Sequence, residues 1–453
     1  MRRATHMSVR LGSEITIEVE KPVAGGRMLA RHEGQVVLVW GAIPGERIRA
    51  QVERVGRGVL YAETSEVLAP SADRRNAGPD WRCGGNVFAH IAYARQLQLK
   101  AEIIRETLGR IGRVPLRATP EVMASPERGY RMRARLHAQS SQLGFFREDT
   151  HQLCDVASTG QLLPETVEWI AAAEGVLTRD RLEGLAAIEI AENIPGQERA
   201  CHLELHAGVD AAPFASLTEA GPLTGLSAER ADRMGVERLA GIPSVSDVVH
   251  VREGDATSAL RLRRDARAFF QGNRFLLEPL VRQVVGLVPP GPVVDLYAGV
   301  GLFGLSLAAA GAEDVTLVEG DPTSGADLTA NAEPFGPRVT VDRRSVETFL
   351  RFPGSAGPKN RTRPTRDSRV EATFIVDPPR TGLSKEALAG VVERQPARII
   401  YVSCDIATLA RDTRALLDAG YELGGVAGID LFPNTAHVET IATFSRTSAP
   451  ASV

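Results

Sequence analysis

Cysteine, aromatic rings and net charge are all scarce in this chain of 453 residues. The four cysteines (Cys83, Cys154, Cys201, Cys404) are scattered. They form no disulfide framework of the kind that staples small secreted domains, and none is expected. A formal net charge of −3 does not announce a nucleic-acid binder, though binding could rest on local patches. Arginines do cluster, at Arg128, Arg131, Arg133 and Arg135 and again at Arg261, Arg263, Arg264 and Arg267. The ordinary reading of each cluster is a solvated face. No apolar run is long enough to cross a bilayer. The opening MRRATHMSVR has basic residues but no apolar core, so no secretory signal and a cytoplasmic location are expected. No second histidine sits at ligand spacing from His437, so no metal site is expected there.

What is present divides into three parts, consistent with a length beyond one ordinary domain. Residues 9–68 read as a small β unit. Ile15, Ile17 and Val19 alternate, Val36 to Trp40 run apolar, and Ile48, Ala50 and Val52 alternate again, with glycine turns between. Short strands with frequent turns predict a small barrel. A polar stretch over 69–85 reads as a linker, and Tyr93 to Leu108 has helical periodicity. The rest of 69–265 reads as an α+β middle domain of undetermined topology. From 266 to 447 strands and helices alternate: Val293 to Leu296, Val315 to Glu319, Phe374 to Asp377, Ile399 to Ser403 and Thr440 to Phe444 read as strands. That pattern predicts an α/β, doubly wound parallel sheet of Rossmann type. Residues 354–369, rich in Pro, Gly, Ser and basic residues, read as a mobile surface loop.

The chemistry-bearing residues fall at strand ends of this last part. Asp295-Leu-Tyr297-Ala-Gly299-Val-Gly301 lies between a strand and a helix, where glycines let backbone approach a ligand and free N–H groups face it. Glu319 ends the next strand, where a carboxylate can hold ribose hydroxyls. The set fits S-adenosylmethionine at least as well as a dinucleotide. Asp377-Pro378-Pro379-Arg380 closes a further strand. The position that carries an aromatic in amine methyltransferases is Arg380 here, which disfavours an amine acceptor. Cys404 follows an apolar run at a strand end. Taken alone it is either a small buried hydrophobe or a nucleophile. Glu439 heads the final apolar run, and His437 before it reads as structural or substrate-contacting.

One reaction uses all of these. Carbon 5 of uracil is too weak a nucleophile to take a methyl group directly. A thiolate added at carbon 6 activates it, and a base must afterwards remove the carbon 5 proton. Cys404, Glu439 and the glycine turn fill the three roles. The ordered segments Phe269-Phe270-Gln271-Gly272-Asn273, the glycine turn, Val376 to Leu383, Tyr401 to Asp412 and His437-Val438-Glu439 resemble the bacterial RNA uracil-5-methyltransferase family. The N-terminal part is similar to its RNA-binding TRAM barrel. The resemblance implies Cys404 as nucleophile and Glu439 as proton acceptor. It implies Gln271, Tyr297, Gly299, Gly301, Glu319 and Asp377 at the cofactor and base site, with S-adenosylmethionine as cofactor. It further implies ribosomal or transfer RNA as partner; no membrane partner is expected, and a monomer is expected although the sequence does not reveal the oligomeric state. Phe269 and Phe270 hold either the base or the fold. Many relatives carry a four-cysteine iron–sulfur site. Here Cys83 and Cys154 match two ligands, while Ala77 and Asn86 stand at the others, so no cluster is expected. Leu302 and Ile406 are further departures, replacing an asparagine and a proline seen in relatives. A methyltransferase acting on another substrate, with Cys404 only as packing, and a non-catalytic RNA chaperone remain the competing readings.

Overall fold

The computed structural model describes residues 9–78, 80–254, 258–352 and 372–446. The expected loop at 354–369 lies outside these. The first five strands, Glu14–Pro22, Met28–His32, Gln35–Trp40, Arg47–Val55 and Val59–Ala69, close into a barrel. Alternation makes it: Ile15, Ile17 and Val19 point inward and are buried, while Glu14, Thr16 and Glu18 face out.

The middle of the chain forms a seven-stranded sheet. Its apolar face, from Leu136, Ile188, Ile190 and Leu203, packs with Trp169 and Ile170 of the helix Pro164–Arg179. Two elements from this stretch of sequence pack instead on the C-terminal sheet. The helix Tyr93–Arg110 lies against the helix Ile406–Asp418, and Val122–Met123 pairs with Gly428–Ile429 as an edge strand.

The C-terminal sheet runs in the order Val339–Asp342, Val315–Val318, Val293–Leu296, Thr373–Val376, Arg398–Ser403, Glu439–Arg446, Tyr421–Ile429, Val122–Met123. The first five strands are parallel. Their near-continuous apolar character follows from burial on both faces. Leu296, Val376 and Tyr401 fill one core, and Ile375, Ile400 and Val402 the other. Glu439–Arg446 departs from the parallel set. It runs antiparallel to Arg398–Ser403, because Tyr421–Ile429 turns back into it without an intervening helix. The strand order reverses between Val293–Leu296 and Thr373–Val376, so a crevice opens at their carboxyl ends.

Two expectations need correction. Cys83 and Cys154 are joined in a disulfide, 71 residues apart in sequence, with both side chains buried. Spacing alone gave no sign of it, since the strand Leu153–Cys154 is brought to Cys83 by the middle sheet. Arg264 is not on a solvated face either. It is fully buried on the strand Ala259–Asp265 and pairs with buried Asp247 at 2.9 Å. Arg133 and Arg135 are paired with Glu189 and Glu204.

Candidate active site

The ladder register sets out a row of side chains along the carboxyl edge of the sheet. Leu296 pairs with Val318 on one side and Val376 on the other, so Tyr297, Glu319 and Asp377 follow at the same level. Ser403 pairs with Thr440 in the antiparallel ladder, so the next residues across from one another are Cys404 and Glu439. The thiol and the carboxylate thus meet although 35 residues separate them in sequence.

Each member is held locally. The chain turns sharply after Leu296 because Tyr297 adopts φ +62°, Gly299 +57° and Gly301 +103°. The two glycines serve different ends. A Cβ at Gly299 would meet nothing within 4 Å, which leaves backbone open to a ligand, and one at Gly301 would lie 2.4 Å from Leu305 Cδ1. The Gly299 N–H donates to Glu319 Oε2 at 2.8 Å, and Asp321 N–H donates to the other oxygen at 2.6 Å. Gln271, buried, donates to Asp377 Oδ2 at 3.4 Å. The loop after Asp377 is tied down by Asp412, which accepts from Leu383 N–H at 3.0 Å and Tyr401 O–H at 2.8 Å. Beyond Cys404, Asp405 caps the helix Ile406–Asp418 by accepting from the N–H groups of Ala407 and Thr408. Ile406 is the first residue of that helix, a position proline also suits. The phenylalanines separate: Phe269 is 61% exposed, and Phe270 is buried under the Arg264 guanidinium, 4.5 Å from its ring centroid. His437 is exposed, edge-on to Phe432.

Burial dominates the electrostatics. It pushes Asp377 up to about 7 against the hydrogen bond from Gln271. Asp295, which accepts from Gly304 N–H at 2.8 Å, is pushed up to about 8 by burial and then by the charges of Asp377 and Glu319. Glu439 stands well above the usual carboxylate range, through burial first and Asp377 second, with Arg380 opposing. Burial raises Glu319 too. The half-buried Cys404 thiol is held up at about 12 by burial and by Glu439, with Arg380 pulling it down and Asp377 pushing it up.

A ligand with positive charge and ribose hydroxyls fits this crevice. Several carboxylates crowd it, Gly299 opens onto it, and Asp295 Oδ1 is buried with no hydrogen-bond partner. A four-thiolate cluster does not fit the Cys83 region, because Ala77 and Asn86 offer no thiolate and Cys83 is bonded to Cys154. Among the described residues no group of three or more His, Cys, Asp or Glu is placed to hold a metal ion. No described helix is long and apolar enough to cross a membrane.

Comparison with known proteins agrees with the geometry. Residues 259–447 match the family model described as tRNA (Uracil-5-)-methyltransferase, and residues 8–64 match the TRAM domain. A 23S rRNA (uracil(1939)-C(5))-methyltransferase of Halomonas elongata is 30% identical over 92% of this chain and 86% of that one. The chain belongs to the RNA uracil-5-methyltransferase family. It is therefore an S-adenosylmethionine-dependent enzyme of the kind that methylates uracil carbon 5 in ribosomal or transfer RNA. An uncharacterized RNA methyltransferase of Thermosynechococcus vestitus is 29% identical over 95% of this chain and 98% of its own length. The fold matches the Pyrococcus abyssi tRNA (uracil-54, C5)-methyltransferase, solved with S-adenosyl-L-homocysteine. The TM-score is 0.72 at 23% identity, over 94% of this chain and 99% of that one.

Of the site residues expected from sequence, Tyr297, Glu319, Asp377, Cys404 and Glu439 stand at strand ends along one edge of the sheet, Gln271 reaches that edge through Asp377, and Gly299 through Glu319. The sequence reading passed over Asp295 as a site residue, although it stands in the quoted turn. Its burial and its contact with Gly304 come from helix packing across nine residues, which no local pattern encodes.

Proposed function

We propose that this enzyme methylates carbon 5 of a uridine in structured RNA through a transient bond from Cys404 to carbon 6, with Glu439 as the base that ends the cycle. The observation that carries this reading is the register across the sheet edge, which sets Cys404 opposite Glu439 with Asp377 on the next strand. The Cys404 thiol, half-buried and reachable by solvent, loses its proton and adds to carbon 6, leaving an enolate in the ring. Arg380 favours the thiolate, and binding a cation among the carboxylates would do so further. S-adenosylmethionine, when bound, supplies a methyl group for carbon 5. Gln271, Tyr297, Gly299, Glu319 and Asp377 would hold it and the base. Glu439 then takes the carbon 5 proton, the C–H electron pair closes the ring double bond, and the bond to Cys404 Sγ breaks. A buried carboxylate of raised basicity suits that last step. The uridine must leave its stack to reach the crevice. The barrel at 9–68 and the region 69–265 would recognise RNA, with the chemistry in 266–447. The Halomonas relative's name makes ribosomal RNA the first substrate to test.

RNA containing 5-fluorouridine tests the mechanism, because fluorine at carbon 5 cannot leave as a proton. Wild type should form a complex that survives denaturing electrophoresis, and Cys404→Ala should not. Absence of a complex with wild type, or its presence with Cys404→Ala, would overturn the reading.

A further inference from the structure

The loop between Tyr421–Ile429 and Glu439 aims the proposed base, and almost everything that holds it comes from the first third of the chain. Lys100 of the helix Tyr93–Arg110 reaches Asp430 Oδ1 at 2.5 Å and Phe432 O at 3.0 Å. At the loop's centre Asn434 sits at φ +64°, a left-handed conformation that a non-glycine residue keeps only when its surroundings enforce it. Four contacts enforce it. Asn434 Oδ1 accepts from Gln96 Nε2 at 2.9 Å and from Arg75 Nη2 at 2.8 Å. Its N–H donates to Gln96 Oε1 at 2.9 Å, and its carbonyl accepts from Phe88 N–H at 2.7 Å. Gln96 is fully buried and Asn434 nearly so.

The anchoring reaches the barrel. Arg74, next to Arg75, binds the fully buried Glu46 of the barrel through Nε at 2.6 Å. Adjacent arginines therefore face opposite ways, one gripping the barrel and one gripping the loop before Glu439.

We propose that Asn434 is a positioning residue: its capture by Gln96 and Arg75 fixes the turn that aims Glu439, and so sets the rate at which the methylated base is released from Cys404. This rests on the reading of Glu439 as the base that removes the carbon 5 proton. That carboxylate acts after the thiol has added and the methyl has transferred. Loosening the loop therefore slows one late step and spares the early ones. A side chain that merely supported the fold would slow every step together.

The experiment is single-turnover methylation of ordinary uridine-containing RNA, following both the protein–RNA adduct on denaturing gels and the yield of 5-methyluridine. Glu439→Gln, Asn434→Ala, Gln96→Ala and Asn434→Asp are compared with wild type. Asn434→Ala and Gln96→Ala should form adduct at close to the wild-type rate and resolve it about tenfold to a hundredfold more slowly, so that adduct accumulates. Asn434→Asp keeps the acceptor and tolerates the left-handed turn, so it should recover most of the resolution rate. Gln96→Ala, outside the loop, guards against a variant that fails only because the turn is strained. If both variants resolve adduct as wild type does, or lose formation and resolution in equal measure, the positioning role is wrong while Glu439→Gln still accumulates adduct. If Glu439→Gln itself accumulates none, the role assigned to Glu439 falls and the proposal falls with it.

Discussion

Lys100 and Asp430 form an ion pair in which both side chains are fully buried, 330 residues apart in sequence. Replacing Lys100 with Met removes the cation and leaves a carboxylate with no countercharge at that contact. Breaking such a pair by one partner costs about 3–5 kcal/mol. Urea unfolding at neutral pH, with amide hydrogen exchange in Tyr93–Arg110 to isolate this unit, measures the difference. Lys100→Met combined with Asp430→Asn should recover most of the loss. A cost under about 1 kcal/mol at neutral pH would refute this account of the pair.

Gly304→Ala places a Cβ 2.1 Å from Leu317 Cδ2 and 2.9 Å from Asp295 Oδ2, so it should cost about 1–3 kcal/mol and weaken S-adenosylmethionine binding; unchanged melting and affinity would show that the turn yields freely. Binding of that cation should strengthen as pH rises through the window set by Asp377 at about 7 and Asp295 at about 8, since the ionised carboxylates attract it; calorimetry in two buffers of different ionisation enthalpy should detect proton release, and a buffer-independent enthalpy would contradict the assignment.

The parts legible from sequence were those encoded locally. Val293–Leu296 was marked by its own β-branched run and the glycines after it, and the barrel strands by alternation and turns. The register then brought the residues of those strand ends together without further information. What was not legible depends on partners distant in the chain. Tyr421–Ile429 carries three glycines and an irregular burial pattern, and is a strand only because Glu439–Arg446 and Val122–Met123 flank it. Two residues are too few to announce Val122–Met123 as a strand. Arg264 sits in an arginine cluster that reads as solvated, and the next residue, Asp265, hides the strand phase that turns Arg264 inward. The Cys83–Cys154 link depends on the middle sheet, whose topology the sequence did not reveal.

On the proposed mechanism, the electrostatics favour a site that reacts once its ligands are bound. In the protein alone the thiol is pushed up to about 12 by burial and Glu439, Asp377 is raised by burial, and Asp295 is raised by burial and then by the charges of Asp377 and Glu319. Such a crevice holds a poor nucleophile. The same crowding makes it a good receptor for a sulfonium cation, and each unit of positive charge brought among the carboxylates lowers the cost of a thiolate beside them. On the proposed mechanism, this charge complementarity favours an order in which the cofactor binds before RNA and lowers the cost of the Cys404 thiolate. Arg380 alone, exposed at the rim, is too weakly coupled to do this, since burial still outweighs it at Cys404. On that mechanism the alkylation rate of Cys404 should rise, rather than fall, when a non-blocking cationic donor analogue binds.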